Sequence, residues 1–145
     1  MVGIQSIGSP WHHAPDTATA FGSAWRGALA SFYGGIVEEI ECRLLLVSLF
    51  VWLLAWLNGQ QARPWMFVVA IVLAALLFGA GHLPAAFAIG VAHTPLAIAR
   101  IVPLNALVGL IAGGLFWKYG LEHAMLAHFC ADLVLHVAVP LAAQL

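Results

Sequence analysis

Residues 34–57 read GGIVEEIECRLLLVSLFVWLLAWL. Glu38, Glu39, Glu41 and Arg43 fall within six positions, and no charge follows from Leu44 to Leu57. A charge-free run of that kind belongs in lipid or in a protein core, and composition decides between them. The 145-residue chain is 63% hydrophobic and only 8% charged, with six tryptophans and a mean hydropathy of +1.00. Soluble domains are about half apolar and about a quarter charged. The charge deficit places most of this surface against a lipid bilayer. The formal net charge of −1 gives no electrostatic case for nucleic acid. Cys42 and Cys130 both sit in apolar segments and read as small core hydrophobes. No basic stretch leads into an apolar run at the N-terminus, so no cleavable signal peptide is apparent.

A spanning helix needs roughly 20 apolar residues, and four segments qualify. The first runs from about residue 25 to 57 and ends at the polar loop 58–63. The second starts at Pro64, a favourable first helical position, and runs to about His82. Residues 83–96 hold Pro84, Gly90, His93 and Pro95 and read as a broken or re-entrant connection. The third runs from about 96 to 119, with Gly120 as its C-cap, and the fourth from about 121 to 139, stopping at Pro140. The expected fold is an all-α, polytopic bundle of about four transmembrane helices. Residues 1–20 are expected to form a flexible tail and 21–145 the core. Arg26, Arg63, Arg100 and Lys118 fall on both sides of this scheme, so the positive-inside rule assigns no orientation.

Charges at a helix centre cost about 2.5–3.5 kcal/mol each on insertion scales, and such residues mark functional sites. Pairing lowers that cost. Glu39 and Arg43 stand four residues apart in the favourable acid-before-base order. Glu38 lies about 100° round the helix from Glu39 and about 140° from Arg43, so the local pair leaves it free. Both Glu38 and His82 lie about 27–28 Å along their helices from the 58–63 loop. In an antiparallel hairpin, carboxylate and imidazole therefore meet at one level. On the fourth segment His128, Asp132 and His136 recur every four residues as one polar stripe. Asn105, Gly109 and Gly113 repeat likewise on the third, where a GxxxG row reads as close helix packing. One count does not fit. His128 lies only about 10 Å into its helix from the Gly120 turn, which leaves straight helices poorly aligned.

In order, Glu38-Glu39-x-x-x-Arg43, Phe78-x-x-x-His82 and His128-x-x-x-Asp132 resemble the EExxxR, FxxxH and HxxxN/D motifs of the CAAX-protease and bacteriocin-processing (CPBP, or Abi) intramembrane endopeptidases, which include the type 2 CAAX prenyl proteases. The resemblance covers about residues 30–137. It implies peptide-bond hydrolysis in the membrane, with Glu38 and His82 activating a water and His128 and Asp132 stabilising the oxyanion. The implied substrate is a membrane-anchored or hydrophobic peptide, and the implied cofactor is none. Chain size suggests a prokaryotic member in the cell (inner) membrane, so a prenylated substrate is not assumed. Relatives usually carry further helices before the Glu pair, which makes this chain a minimal member or a truncated core. Asp132 replaces the Asn of several relatives. An ionised Asp cannot donate to an oxyanion, so it is expected to hydrogen-bond His128 and support its imidazolium as the donor.

Two alternatives stand beside this reading. Two His with Glu and Asp could hold a divalent metal, although no HExxH is present. The polar seam could also serve a non-enzymatic membrane immunity or scaffold protein. A transporter is disfavoured by the absence of an inverted repeat. Oligomeric state is not legible.

Overall fold

The structure, a computed structural model, describes residues 17–142, all helical apart from short connections. A continuous helical rod opens the described residues. It comprises α1 (Thr17–Phe32), π-helical stretches Tyr33–Glu38 and Ile40–Val47, and α2 (Ser48–Leu57). Then follow α3 (Pro64–Ala88), α4 (Pro95–Tyr119), α5 (Leu121–Leu133), a π-helical stretch Val134–Ala138 and α6 (Val139–Ala142). The rod from Ala24 to Leu57, α3 and α4 are each long and apolar enough to cross a membrane. The α5–α6 segment is the fourth member of the bundle, packed on α4 and on the N-terminal rod. Residues 1–16 of the expected tail lie outside the described residues.

The packing is that of a bundle immersed in lipid. Large apolar side chains such as Leu57, Leu96 and Trp52 face outward, while the interior is filled by Ala70, Ala74, Ala75, Ala106, Ala112 and Ala124. With lipid as apolar as leucine, hydrophobicity cannot drive helix association, and small residues allow close packing instead. The largest fully buried side chains include Arg43, Met66 and Glu39.

The glycine row on α4 packs as expected. A Cβ on Gly109 would stand 3.0 Å from the Ala75 Cα, and one on Gly113 would stand 2.5 Å from the Ile71 Cγ2. Gly109→Val should therefore force α3 and α4 apart. Overpacking of this kind costs about 1–3 kcal/mol, and thermal unfolding in detergent should fall accordingly.

The connection expected across 83–96 is shorter than that. Helix α3 runs through Pro84 to Ala88, and only 89–94 leave helical form. Proline removes one hydrogen bond and crowds the carbonyl four residues back; membrane bundles tolerate this because neighbours satisfy the freed groups. The true punctuation is Gly90, with φ of 95°, and Thr94, whose Oγ1 caps α4 by accepting from the Ala97 N–H at 3.2 Å. Pro140 likewise does not stop the last helix, which continues to Ala142.

The two π-helical stretches carry Glu38, Cys42 and Arg43 and enclose Glu39. A π turn closes its hydrogen bond one residue later than an α turn and occurs frequently at functional sites. More residues per turn means less advance along the axis. The rise from Glu38 to the 58–63 loop is shortened in the direction that the straight-helix count requires.

Candidate active site

The site starts with the Glu39–Arg43 pair. Arg43 Nη2 donates to Glu39 Oε1 at 2.9 Å, and Arg43 Nε stands 2.9 Å from Glu39 Oε2. The second contact lies off the hydrogen-bond line, which leaves Glu39 Oε2 and Arg43 Nε and Nη1 without hydrogen bonds. Both residues are 0% exposed. They lie behind the cavity and do not line it.

Glu39 holds a second partner. Its Oε1 accepts a hydrogen bond from His128 Nδ1 at 2.8 Å across 89 residues of sequence. A carboxylate accepts but cannot donate, so the proton sits on Nδ1 and Nε2 is the ring nitrogen left for other partners. His128 Nε2 lies 3.8 Å from Glu38 Oε2 and 3.8 Å from Asp132 Oδ1. This corrects the expectation for Asp132. It approaches His128 by charge and is too far away to hydrogen-bond it. The orienting acceptor is Glu39, which the π-helical rod turns inward onto α5. Asp132 Oδ1 also stands 3.8 Å from Nε2 of the half-exposed His136.

His82 is fixed in a similar way. Its Nδ1 lies 2.9 Å from the Phe78 carbonyl one turn back. A carbonyl can only accept, so Nδ1 donates and Nε2 is left for the cavity. Phe78 sets both imidazoles. Its ring meets His82 edge-on at 4.6 Å between centroids and His128 at 5.5 Å.

Glu38, His82, His128 and Asp132 line one cavity of about 760 Å³, within the size range of ligand sites. Glu38 is the carboxylate the ion pair leaves free, as its helical phase predicts. The floor is Gly34. A Cβ there would stand 3.5 Å from both Glu38 Oε2 and His128 Nε2 and would run into Asp132 Oδ2. Bare Gly34 thus leaves open the space on which these groups converge. Among the described residues, no three His, Cys, Asp or Glu side chains are disposed to hold a metal ion.

Two lining residues escape the motif reading. Gly34 gave no signal beyond adjacency to the Glu pair. Asn105, read as part of the packing row, lines the same cavity while its Nδ2 donates to the Ile101 carbonyl at 2.9 Å. Its position as the lone amide in the apolar run of α4 was the available signal, since polar residues at membrane depth face cavities. An apolar groove of about 290 Å³, walled by Phe32, Ile36, Met125 and Phe129, lies apart and has Glu122 as its sole ionisable lining residue.

In comparison with known families, a family model described as type II CAAX prenyl endopeptidase Rce1-like matches residues 20–134. Comparisons with curated proteins and with solved structures gave no match.

Proposed function

The chain belongs to the type II CAAX prenyl endopeptidase Rce1-like family, and from that premise we propose that it hydrolyses a peptide bond of a membrane-associated protein or peptide through a water activated by Glu38 and His82. It is an integral, multi-pass membrane protein, and its family is one of proteases. The observation that carries the proposed mechanism is the convergence of Glu38, His82, His128 and Asp132 on one cavity.

In the proposed reaction Glu38 takes a proton from water as general base, while His82 Nε2 accepts a hydrogen bond from the second water hydrogen, which stays on the oxygen, and so aims it. The oxygen bonds to the scissile carbonyl carbon, and the carbonyl electron pair moves onto its oxygen. His128, as imidazolium, donates from Nε2 to that oxyanion while Glu39 holds its Nδ1. The oxyanion pair then reforms the carbonyl as the C–N bond breaks, and Glu38 passes its proton to the leaving amine. General base catalysis contributes about 10²–10⁴-fold, and one oxyanion donor about 10²–10³-fold. Glu39 and Arg43 act as positioning residues because they do not face the cavity. No step passes through a metal.

Cleavage of an internally quenched lipopeptide by the purified protein in liposomes tests the reading, and a folded chain with no hydrolytic activity would instead support a scaffold or immunity protein. Asp132 gives a specific expectation in the same assay. Asn can donate where Asp cannot, so Asp132→Asn should keep activity within about tenfold. Asp132→Ala removes the charge that supports the His128 imidazolium and puts no donor in its place, so it should lose a further factor approaching the 10²-fold of a missing oxyanion donor. Chelator should change neither result. Collapse of the Asn variant with rescue by added zinc would make Asp132 a metal ligand.

A further inference from the structure

Glu41 has no part in the chemistry above, yet it is a carboxylate on the exposed face of a membrane-spanning rod. Among the described residues it forms no ion pair. A lipid-facing carboxylate at depth is costly unless water reaches it.

A second, smaller chamber of about 280 Å³ explains it. Glu41, Cys42, Leu77 and Gly81 line this chamber, together with Glu38 and His82. Glu38 and His82 also line the large cavity, so the proposed water-activating pair forms a wall common to both spaces. The large cavity extends from that wall toward α4, through Asn105 and Val108, and toward α5 and the π-helical stretch after it, through Asp132 and Leu135. The small chamber lies between the π-helical rod and α3, and Glu41, Leu77 and Gly81 are exposed at its edge. Water in bulk occupies about 30 Å³ per molecule and needs two to four polar partners to occupy a cavity. The small chamber has room for several water molecules, and Glu38, Glu41 and His82 supply the partners.

We propose that this chamber is the water route of the enzyme: the peptide occupies the large cavity, and the water consumed in each turnover reaches Glu38 and His82 from the Glu41 side. The inference rests on the hydrolytic role given above to Glu38 and His82. A peptide filling the large cavity expels its solvent, so a site with one opening would shut out its own nucleophile. With two openings, substrate and water arrive independently. The mouth carboxylate keeps a hydrated channel beside lipid, and the oxygen that enters there leaves in the new carboxyl terminus of the product.

Gly81 supplies the test, because a Cβ built on it meets nothing within 4 Å. Gly81→Leu puts a large side chain at the chamber edge without displacing backbone, whereas Gly81→Ala adds only a methyl group. In the lipopeptide assay Gly81→Leu should lower kcat at least tenfold with KM within twofold of wild type, and Gly81→Ala should change neither by more than twofold. Wild-type kcat in a folded Gly81→Leu protein, beside an inactive Glu38→Gln, would overturn the water route and leave the hydrolytic mechanism standing. An active Glu38→Gln would overturn both. Labelling decides independently should Gly81→Leu fail to fold. Gly81→Cys, with Cys42→Ser and Cys130→Ser, should react in liposomes with a charged, water-soluble methanethiosulfonate. Absence of labelling would mean a dry chamber and would overturn the proposal.

Discussion

Glu38→Gln should lower hydrolysis by about 10²–10⁴-fold, the contribution of a general base, while changing thermal stability by less than about 0.5 kcal/mol, the usual range for a substitution that breaks no packed contact. The two halves of that expectation come from one geometry. Glu38 faces the cavity with a quarter of its side chain exposed, and His128 Nε2 stands 3.8 Å from its Oε2. Glutamine keeps the volume and removes the proton acceptor. Kinetics in liposomes and unfolding in detergent, measured on one preparation, check both. Retained turnover, or a large loss of stability, would move Glu38 out of the proposed base role.

Glu39→Gln should behave in the opposite manner, with stability falling first. Its carboxylate is 0% exposed and bonded at once to Arg43 and His128. Removing one partner of a buried pair leaves the other charge uncompensated, at a cost of about 3–5 kcal/mol. Arg43 already has an Nη1 without a hydrogen bond, so little remains nearby to absorb its charge. Activity should fall as well, because His128 loses the charged acceptor that orients it. Arg43→Met should destabilise comparably. The double variant Glu39→Gln/Arg43→Met should be less destabilised than the two single effects added together, since neither change then strands a charge. Strict additivity would show that the pair does not act as a unit.

The contrast between these neighbours also shows what was legible in the sequence. Interactions within one helix could be read. The four-residue spacing of Glu39 and Arg43 gave their ion pair, and the helical angle gave Glu38 as the free carboxylate. The same spacing places Phe78 and His82 in contact one turn apart. Bonds between helices could not be read. The Glu39–His128 bond joins residues 89 apart, and no periodicity encodes such a pair, so Asp132 was assigned an orienting bond that Glu39 makes. The π-helical stretches were equally hidden, because a shift from the fourth to the fifth carbonyl leaves no mark on an apolar run. Pro84 misled for a physical reason. Proline punctuates helices strongly in water, but a membrane bundle carries it within a helix. Here Gly90 and Thr94-Pro95 set the boundary instead.

Glu38 and His82 as joint activators of a water are most directly tested by turnover of an internally quenched lipopeptide in liposomes, measured for wild type before and after exhaustive chelation and for folded His82→Ala beside it. Unchanged wild-type turnover after chelation, with turnover lost in His82→Ala, is the expected result. Turnover that disappears with chelator and returns with zinc, or that persists in His82→Ala, would contradict it.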